Sequence, residues 1–199
     1  MFTGIIECTG VIIFISEEAT NKVFWIQSSI SQELKIDQSL SHNGVCLTVE
    51  EVHQDTHRVT AVKETLLKTN LGQWITGTQV NLERSLQMTG RIDGHLVQGH
   101  VDCNVKCSAI TDLNGSWQFD FAIDKKDAAL VIEKGSISIN GISLTIFNVT
   151  AQSFTVTIIP YTFKHTNMNQ LKAGDLVNIE FDLIGKYVQR IVNMGNKHQ

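Results

Sequence analysis

Short segments rich in β-branched and aromatic residues, bounded by Gly, Asn, Asp and Ser, follow one another along most of the chain. This pattern is typical of strands separated by tight turns. It predicts strands over Lys22–Gln27, Gly44–Val52, His57–Val62, Thr78–Glu83, Trp117–Ile123, Gly141–Val149 and Ser153–Ile159. Short strands at this spacing predict small closed barrels, because closure leaves no unpaired sheet edge.

Three segments break the strand pattern. Glu64–Asn70 and Tyr161–Asn167 are each predicted to form a single helical connection. Near the C-terminus, apolar residues recur at three- and four-residue intervals, which predicts an amphipathic helix. The residues of this apolar stripe are Ile184, Tyr187, Val188, Ile191 and Val192. The stripe either packs on the chain's own barrels or mediates oligomerisation, and the pattern does not distinguish the two.

The chain contains an internal repeat at a spacing of 97 residues. Segments 38–86 and 135–183 align without gaps, and 18 of 49 positions are identical. At a spacing of 95 residues, Thr3–Glu7 aligns with Gln98–Asp102. A repeat this long indicates two similar domains rather than a solenoid. We therefore expect an all-β fold with domains 1–86 and 87–183, followed by a C-terminal helix over 184–199.

Composition and charge argue against several classes of protein. The chain of 199 residues has a formal net charge of −4 at pH 7 and no basic run, so we expect neither nucleic-acid nor membrane binding. No segment approaches the ~18 apolar residues of a membrane span, and residues 1–10 lack the features of a signal peptide. The four cysteines follow no secreted disulfide framework. We therefore expect a cytoplasmic protein with reduced thiols.

The densest polar cluster lies between Arg91 and Cys107 and contains two histidines and two cysteines, which are His95, His100, Cys103 and Cys107. Their spacing does not match a structural zinc site, which needs closely paired ligands. Phosphate-loop, dinucleotide-binding and Gly-x-Ser-x-Gly motifs are also absent from the sequence. We therefore expect no structural zinc site, no phosphate loop and no dinucleotide site.

Differences between the two copies mark candidate functional positions. Cys46 aligns with Ser143, and Ile5 aligns with His100. Two equivalent pockets, one with Cys and no His and the other with Ser and His, suggest that two similar ligands are treated differently. Drift between the copies is the alternative. Cys46 is a candidate nucleophile, but its place in an apolar strand is also typical of a buried, inert thiol.

Eight motifs, in order along both halves, together resemble the alpha-type riboflavin synthase family: MFTGIIE, HNGVCLTV, KETLLKTNLG, VNLERSL, GHLVQGHVD, KGSISINGISLTI, IPYTFKHTN and VNIEFD. The resemblance covers nearly the whole chain. It implies two six-stranded Greek-key barrels and a C-terminal helix around which three chains form a homotrimer. It also implies an active site between the N-terminal barrel of one subunit and the C-terminal barrel of its neighbour.

The implied activity is a cofactor-free dismutation. One molecule of 6,7-dimethyl-8-ribityllumazine donates a four-carbon unit to a second, which gives riboflavin and 5-amino-6-ribitylaminopyrimidinedione. Non-catalytic antenna proteins that bind lumazine or flavin also resemble this family and are the alternative. The resemblance leaves open whether the chain associates with a lumazine synthase shell.

The family's site residues carry over by motif. In the first-barrel pocket they fall on Gly4, Ile5, Ile6, Ser39, Cys46, Leu47, Thr48, Thr60, Ala61, Val62, Lys63, Glu64 and Thr65. In the second-barrel pocket they fall on Gly99, His100, Val101, Lys134, Ser143, Leu144, Thr145, Ile159, Pro160, Tyr161, Thr162 and Phe163. Phe2 and Asp182 also match positions tied to activity. The chain departs from the family at Asp93, where Gly is usual, and at Tyr161, where Glu or His is common.

The chemistry needs a base that removes a proton from the C7 methyl group of the donor lumazine. His100, or a hydroxyl–water relay through Ser143 and Thr145, is expected to supply it. The nucleophile at C7 of the acceptor is water, a ribityl hydroxyl, Ser39 or Cys46. Backbone donors at Gly4, Thr48 and Thr145 are expected to bind the pyrimidine edge, and Lys134 the ribityl chain.

Overall fold

The strand-forming segments pair into two closed antiparallel barrels in the computed structural model, which describes residues 1–195. The first barrel contains β1 (Cys8–Glu18), β2 (Asn21–Gln27), β3 (Ser39–His42), β4 (Val45–His53), β5 (Thr56–Ala61) and β6 (Gln79–Arg84). The second contains β7 (Cys103–Asp112), β8 (Trp117–Ala122), β9 (Ser136–Ile139), β10 (Ile142–Phe147), β11 (Ser153–Ile158) and β12 (Leu176–Phe181). The seven predicted strands are confirmed, with ends that differ by at most two residues.

The two barrels have the same topology. Around the first barrel the order is β1-β2-β5-β4-β3-β6, and replacing each strand by its repeat equivalent gives the order around the second. Even the irregularities recur, since β1 is bulged between Ile12 and Phe14 and β7 between Cys107 and Ala109. The predicted fold class, two duplicated six-stranded barrels, is confirmed.

Each barrel encloses its own apolar core. In the first, Ile12, Phe24, Ile26 and Leu40 are fully buried, and in the second the Phe119, Phe121 and Phe154 rings stack at 5.5–6.5 Å between centroids. Burying each such side chain contributes roughly 1.5–3 kcal/mol, which explains how the fold forms without disulfides. All four cysteines are free thiols.

Short helices connect the strands at equivalent places in the two copies. The helices α1 (Lys63–Lys68) and α2 (Pro160–His165) confirm the predicted helical connections. Four 3-10 turns occur in the described chain, over Ser31–Glu33, Asn70–Gln73, Ala128–Leu130 and Asn167–Asn169. The predicted C-terminal helix is α3 (Leu183–Gly195), and the last four residues of the predicted span 184–199 lie outside the described residues. No helix in residues 1–195 is long and apolar enough to cross a membrane.

Buried asparagines join the two barrels. The turns at Asn43-Gly44 and Asn140-Gly141 have positive φ at both residues, as type I′ hairpin turns require, and they touch each other back to back. Asn81 on β6 bonds both the backbone of Asn140 and the side chain of Asn167 in the other copy, at 3.0 and 2.9 Å. In the reverse direction, the Asn178 side chain donates to the backbone carbonyl of Asn43 at 2.9 Å, and the backbone N–H of Asn70 donates to the Asn178 side chain at 2.7 Å. This network holds the barrels in one fixed relation.

Candidate active site

Two segments cross from one barrel to the other before they reach the candidate pockets. The backbone N–H of Ser143 on β10 donates to the carbonyl of Gly4 at 2.8 Å, and that of Cys46 on β4 donates to the carbonyl of Gly99 at 2.8 Å. The N-terminal segment 2–6 therefore lies on the second barrel, and the linker segment 97–101 lies on the first. Phe2 and Val97 pair with each other where the two segments pass.

This crossing corrects the grouping expected from the sequence. We expected Gly4, Ile5 and Ile6 in the first-barrel pocket, but Ile6 packs against the core of the second barrel. We expected Gly99, His100 and Val101 in the second-barrel pocket, but Val101 packs against the core of the first. The repeat aligns these segments correctly with each other. It does not reveal on which barrel each segment lies.

The first pocket is a cavity of about 230 Å³ on the first barrel. It is lined by Val45, Cys46, Glu64, Thr65, Lys68, Thr69, Gly99, His100 and Val101. Cys46 is half-buried rather than sealed in the core, so its thiol is accessible from the cavity. The exposed Lys68 ammonium pairs with the Glu64 carboxylate at 2.8 Å on the cavity wall. The structure thus joins Cys46 and His100, which the sequence had assigned to different pockets.

On the second barrel, Ser143 has a different histidine as its partner. The Ser143 hydroxyl lies 2.6 Å from Nδ1 of His95. Burial lowers the pKa of His95, and the negative charge of Asp182 partly opposes that effect. At neutral pH the imidazole is therefore neutral and able to accept a proton. Ser143 and His100, expected in one pocket, are not brought together.

Sequence reasoning considered His95 only as a zinc ligand and missed this contact. One sequence feature could have indicated a role for His95: the segment GHLVQGH contains two Gly-His pairs, and His95 belongs to the first. Gly94 precedes His95 at a place where a Cβ would collide with the carbonyl oxygen of Thr3 and approach the Ser143 side chain. Asp93, which departs from the family pattern, is exposed and does not have a positive φ, so its side chain is accommodated.

Strand alternation decides which predicted residues face the outside of each barrel. Cys46 and Thr48 lie on the outer face of β4, whereas Leu47 between them is buried in the core. Ala61 is fully buried as well. Leu144 packs against the core of the second barrel between Ser143 and Thr145. The side chains of Leu47, Ala61 and Leu144 therefore pack inward, and a ligand in the predicted pockets would reach these three residues through their backbone atoms.

The remaining predicted residues of the first barrel lie around the outer ends of β3, β5 and α1. Ser39 is opposite Thr48 in the β3–β4 register. The Thr60 hydroxyl donates to the Glu50 carboxylate at 2.8 Å. Val62 and Lys63 are exposed at the start of α1.

In the second barrel, α2 begins at Ile159 and Pro160, which are exposed. The Tyr161 ring stacks on His165 at 4.2 Å, Thr162 accepts from the Thr166 hydroxyl through its backbone carbonyl, and the Phe163 ring stacks on Trp117 at 3.7 Å. Lys134 is exposed, with a φ of 64° and its ammonium 5.8 Å from the Phe147 ring centroid. Asp182 accepts a hydrogen bond from the backbone of Ile184 at the start of α3.

Two buried glutamates hold the crossing segments in place. The Glu83 carboxylate accepts from the backbone N–H groups of Thr3 and Gly4 and from the Thr3 hydroxyl, at 2.7–3.0 Å. The Glu180 carboxylate accepts from three successive N–H groups, those of Gln98, Gly99 and His100, at 2.7–2.9 Å. Burial raises the pKa of both carboxyls, and these hydrogen bonds oppose the shift. Within residues 1–195, no cluster of His, Cys, Asp and Glu side chains is suited to hold a metal ion.

Comparison with known proteins identifies the repeat. The family model described as "Lumazine binding domain" matches residues 3–85 and again residues 98–182. Riboflavin synthase from Actinobacillus pleuropneumoniae is 38% identical, over 96% of this chain and 90% of that protein. Riboflavin synthases from Bacillus subtilis and Escherichia coli are 36% and 35% identical, over 100% and 92% of this chain and 93% and 87% of those proteins.

Solved structures share the fold at lower sequence identity. LumP complexed with riboflavin has a TM-score of 0.85 at 22% identity, and the match covers 91% of this chain and 99% of LumP. LumP complexed with 6,7-dimethyl-8-(1'-D-ribityl) lumazine has a TM-score of 0.82 at 22% identity, over 90% and 98% of the two chains. The matches to LumP, at 22% identity, show a shared fold, whereas the matches to riboflavin synthases also show a shared family. With two tandem lumazine-binding domains and full-length identity above 30%, the chain belongs to the riboflavin synthase family.

Proposed function

We propose that the chain catalyses the riboflavin synthase reaction. Two molecules of 6,7-dimethyl-8-ribityllumazine react, and a four-carbon unit passes from one to the other. The products are riboflavin and 5-amino-6-ribitylaminopyrimidinedione, and the atoms balance without an oxidant or net water. The observation that carries the proposal is the 35–38% identity to riboflavin synthases along nearly the whole chain. Polar side chains on both barrels at the matched positions support it.

The Ser143–His95 pair is suited to remove the proton from the C7 methyl group of the donor. The 2.6 Å contact allows the hydroxyl to pass a proton to a neutral imidazole, and a placed base of this kind contributes roughly 10²–10⁴ in rate. Asp182 lies near enough for its charge to favour the protonated form of His95. The proton held there is available to the second product when the four-carbon unit is transferred.

The cavity that contains Cys46 and His100 is suited to hold the second lumazine. Candidate nucleophiles at C7 of that molecule are the Cys46 thiol, Ser39, water and a ribityl hydroxyl. Holding two flat rings face to face supplies a large part of the acceleration, because the effective molarity of aligned reactants is worth roughly 7–11 kcal/mol.

The assembly that we propose is a homotrimer, with each active site between the first barrel of one chain and the second barrel of its neighbour. The family resemblance implies it, and the exposed stripe on α3 supports it. Ile184, Tyr187, Val188, Ile191 and Val192 are each more than half exposed in the single chain. A soluble protein rarely leaves five such side chains in one row uncovered. A cytoplasmic location is also part of the proposal, supported by the four free thiols.

The test uses purified protein and the lumazine, with no other reagent. Riboflavin absorbance should grow at half the molar rate at which the lumazine disappears. Addition of a lumazine synthase shell should leave this ratio unchanged, and co-sedimentation would show whether the two associate. Stable lumazine fluorescence with no new product would instead identify an antenna protein that binds the compound without converting it.

A further inference from the structure

Glu83 and Glu180 occupy equivalent positions in the duplication and are almost fully buried, with 4% and 2% of their surface exposed. Among the described residues, neither carboxylate forms an ion pair with a Lys or Arg within 4.0 Å. Each instead accepts three hydrogen bonds from one crossing segment. A buried charge without its hydrogen-bond donors is strongly unfavourable, so each carboxylate fixes the segment that supplies them.

Each glutamate holds a segment that contacts a candidate site residue of the other barrel. Glu83 is on β6 of the first barrel, and its donor Gly4 is bonded through its carbonyl to the backbone of Ser143 in the second. Glu180 is on β12 of the second barrel, and its donor Gly99 is bonded in the same way to Cys46 in the first. Both glycines have positive φ, at 77° and 83°, and their missing Cβ atoms allow this close approach.

We propose that Glu83 and Glu180 are positioning residues that act across the barrel boundary: Glu83 orders the segment that lies against Ser143, and Glu180 orders the wall of the Cys46 cavity. The glutamates do not contact the substrate in this arrangement. They hold the backbone that carries His100, which lines the Cys46 cavity, and Ile5, which follows Gly4. The proposal extends the proposed function, since Ser143 and the Cys46 cavity are the places assigned there to the donor and to the second lumazine.

The experiment compares Glu83→Gln with Glu180→Gln in the full-length chain. Gln keeps the shape of Glu but replaces one carboxylate oxygen with an NH2 group. This group cannot accept a hydrogen bond from a backbone N–H, so at least one of the three hydrogen bonds is lost. The reporter of the first pocket is the alkylation rate of Cys46 by iodoacetamide, read by peptide mass spectrometry. The reporter of the segment beside Ser143 is alkylation of the thiol that a Ser143→Cys substitution introduces into each background. Cys107, which is fully buried, reports global unfolding in every sample.

The expected pattern is crossed. Glu180→Gln should speed Cys46 alkylation roughly tenfold, the effect of losing one hydrogen bond to a charged group, and change the introduced thiol less than twofold. Glu83→Gln should do the reverse. Equal effects at both thiols, effects confined to the glutamate's own barrel, or no effect would each overturn the proposal.

A milder variant covers the case in which the glutamine variants do not fold. Thr3→Val removes the Thr3 hydroxyl, one of the three donors to Glu83, and should speed alkylation of the introduced thiol but not of Cys46. No lumazine is present in these assays. A chain that makes no riboflavin would therefore still show the crossed pattern if the positioning roles are right, and a fully active chain would lack it if they are wrong.

Discussion

His42 and His57 face each other in the core of the first barrel, with their Nε2 atoms 3.0 Å apart and both side chains fully buried. Nδ1 of His42 donates to the carbonyl of Leu40 at 3.1 Å. Nε2 of neutral His42 must then accept a hydrogen bond from Nε2–H of His57. In this tautomer, Nδ1 of His57 accepts a hydrogen bond from the Ser31 hydroxyl at 2.8 Å. If both rings were protonated, two N–H groups would face each other at the Nε2 atoms and this hydrogen bond would be lost.

This pair makes the first barrel sensitive to acid. Burial lowers the pKa of His57 to about 4 and that of His42 well below its ordinary value. In the unfolded chain both rings have a pKa near 6.5. Between that pH and the lower pKa values of the folded chain, the unfolded state binds up to two more protons than the folded state. The free energy of unfolding should therefore fall by roughly 2 kcal/mol per pH unit between about pH 6 and pH 5. Urea unfolding followed by circular dichroism at several pH values measures this slope.

The second barrel supplies the control for this prediction. The equivalent positions there are Ile139 and Phe154, which are fully buried. The double variant His42→Ile/His57→Phe copies them into the first barrel and should remove most of the slope while leaving the carboxylates unchanged. An unchanged slope in the double variant would assign the acid sensitivity to other groups.

The asparagine network predicts that removal of one side-chain amide causes a large loss of stability. Asn81 bonds Asn140 and Asn167 through its side chain and also accepts from the backbone of Asn167 at 2.8 Å. Asn81→Ala leaves these buried groups without partners, so the free energy of unfolding should fall by about 3 kcal/mol. Asn169→Ala, at an exposed position, should change it by less than about 0.5 kcal/mol. Similar values for the two variants in urea titrations would contradict the role of the network.

The repeat explains why the fold could be predicted from sequence and the crossing could not. Barrel strands follow from local composition, and the spacing of 97 residues between Asn43 and Asn140 or between Cys46 and Ser143 assigns equivalent places. The contacts of Gly4 with Ser143 and of Gly99 with Cys46 join residues far apart in sequence. Nothing in local propensity or alignment selects one barrel over the other for these segments.

Candidate site residues can be chosen from the sequence where the residue type itself carries chemistry, but not where a residue gains its role only from a partner in space. Ser143 and Cys46 stand out as differences between the copies. His95 acquires its meaning from a 2.6 Å contact with Ser143 across 48 positions of sequence. Leu47, Ala61 and Leu144 were included because they lie within matched motifs, although strand alternation points them inward.

Substitutions at Ser143, a member of the proposed base pair, and at His100, in the cavity of the second lumazine, should separate catalysis from binding. Ser143→Ala should lower kcat roughly 100-fold or more and change the dissociation constant of the lumazine less than threefold. His100→Ala should also lower kcat more than it weakens lumazine binding. Steady-state kinetics and fluorescence titration give the two quantities. Ser108→Ala, at an exposed position on β7, is the control and should leave both unchanged. Equal losses of kcat and affinity would indicate that Ser143 and His100 only bind substrate.

A comparison of Gly99→Ala with Gly77→Ala distinguishes the effect of backbone strain from the effect of a blocked cavity. Both have positive φ, at 83° and 92°, but a Cβ at Gly99 would lie 2.6 Å from that of Cys46, whereas a Cβ at Gly77 would meet no atom within 4 Å. Both Ala variants should lose about 1 kcal/mol of stability to strain, and Gly99→Ala should lose roughly 1–3 kcal/mol more because its Cβ overpacks against Cys46. Only Gly99→Ala should also lower kcat/KM more than tenfold. Comparable activity losses in the two variants, at matched thermal stability, would show that strain alone is responsible.

The exposed stripe on α3 makes the trimer testable with one charge. Ile191→Glu places a carboxylate in the middle of the apolar row, so the interface must either bury an unpaired charge or dissociate. Light scattering should then give the mass of a single chain, against three times that mass for the unmodified protein. Arg190→Glu puts the same residue one position away on the polar face of α3 and should leave the mass unchanged. Activity should be lost together with assembly in Ile191→Glu, because each proposed site needs the first barrel of one chain and the second barrel of another. Full activity in a chain of monomeric mass would show that one subunit brings its two lumazines together by itself.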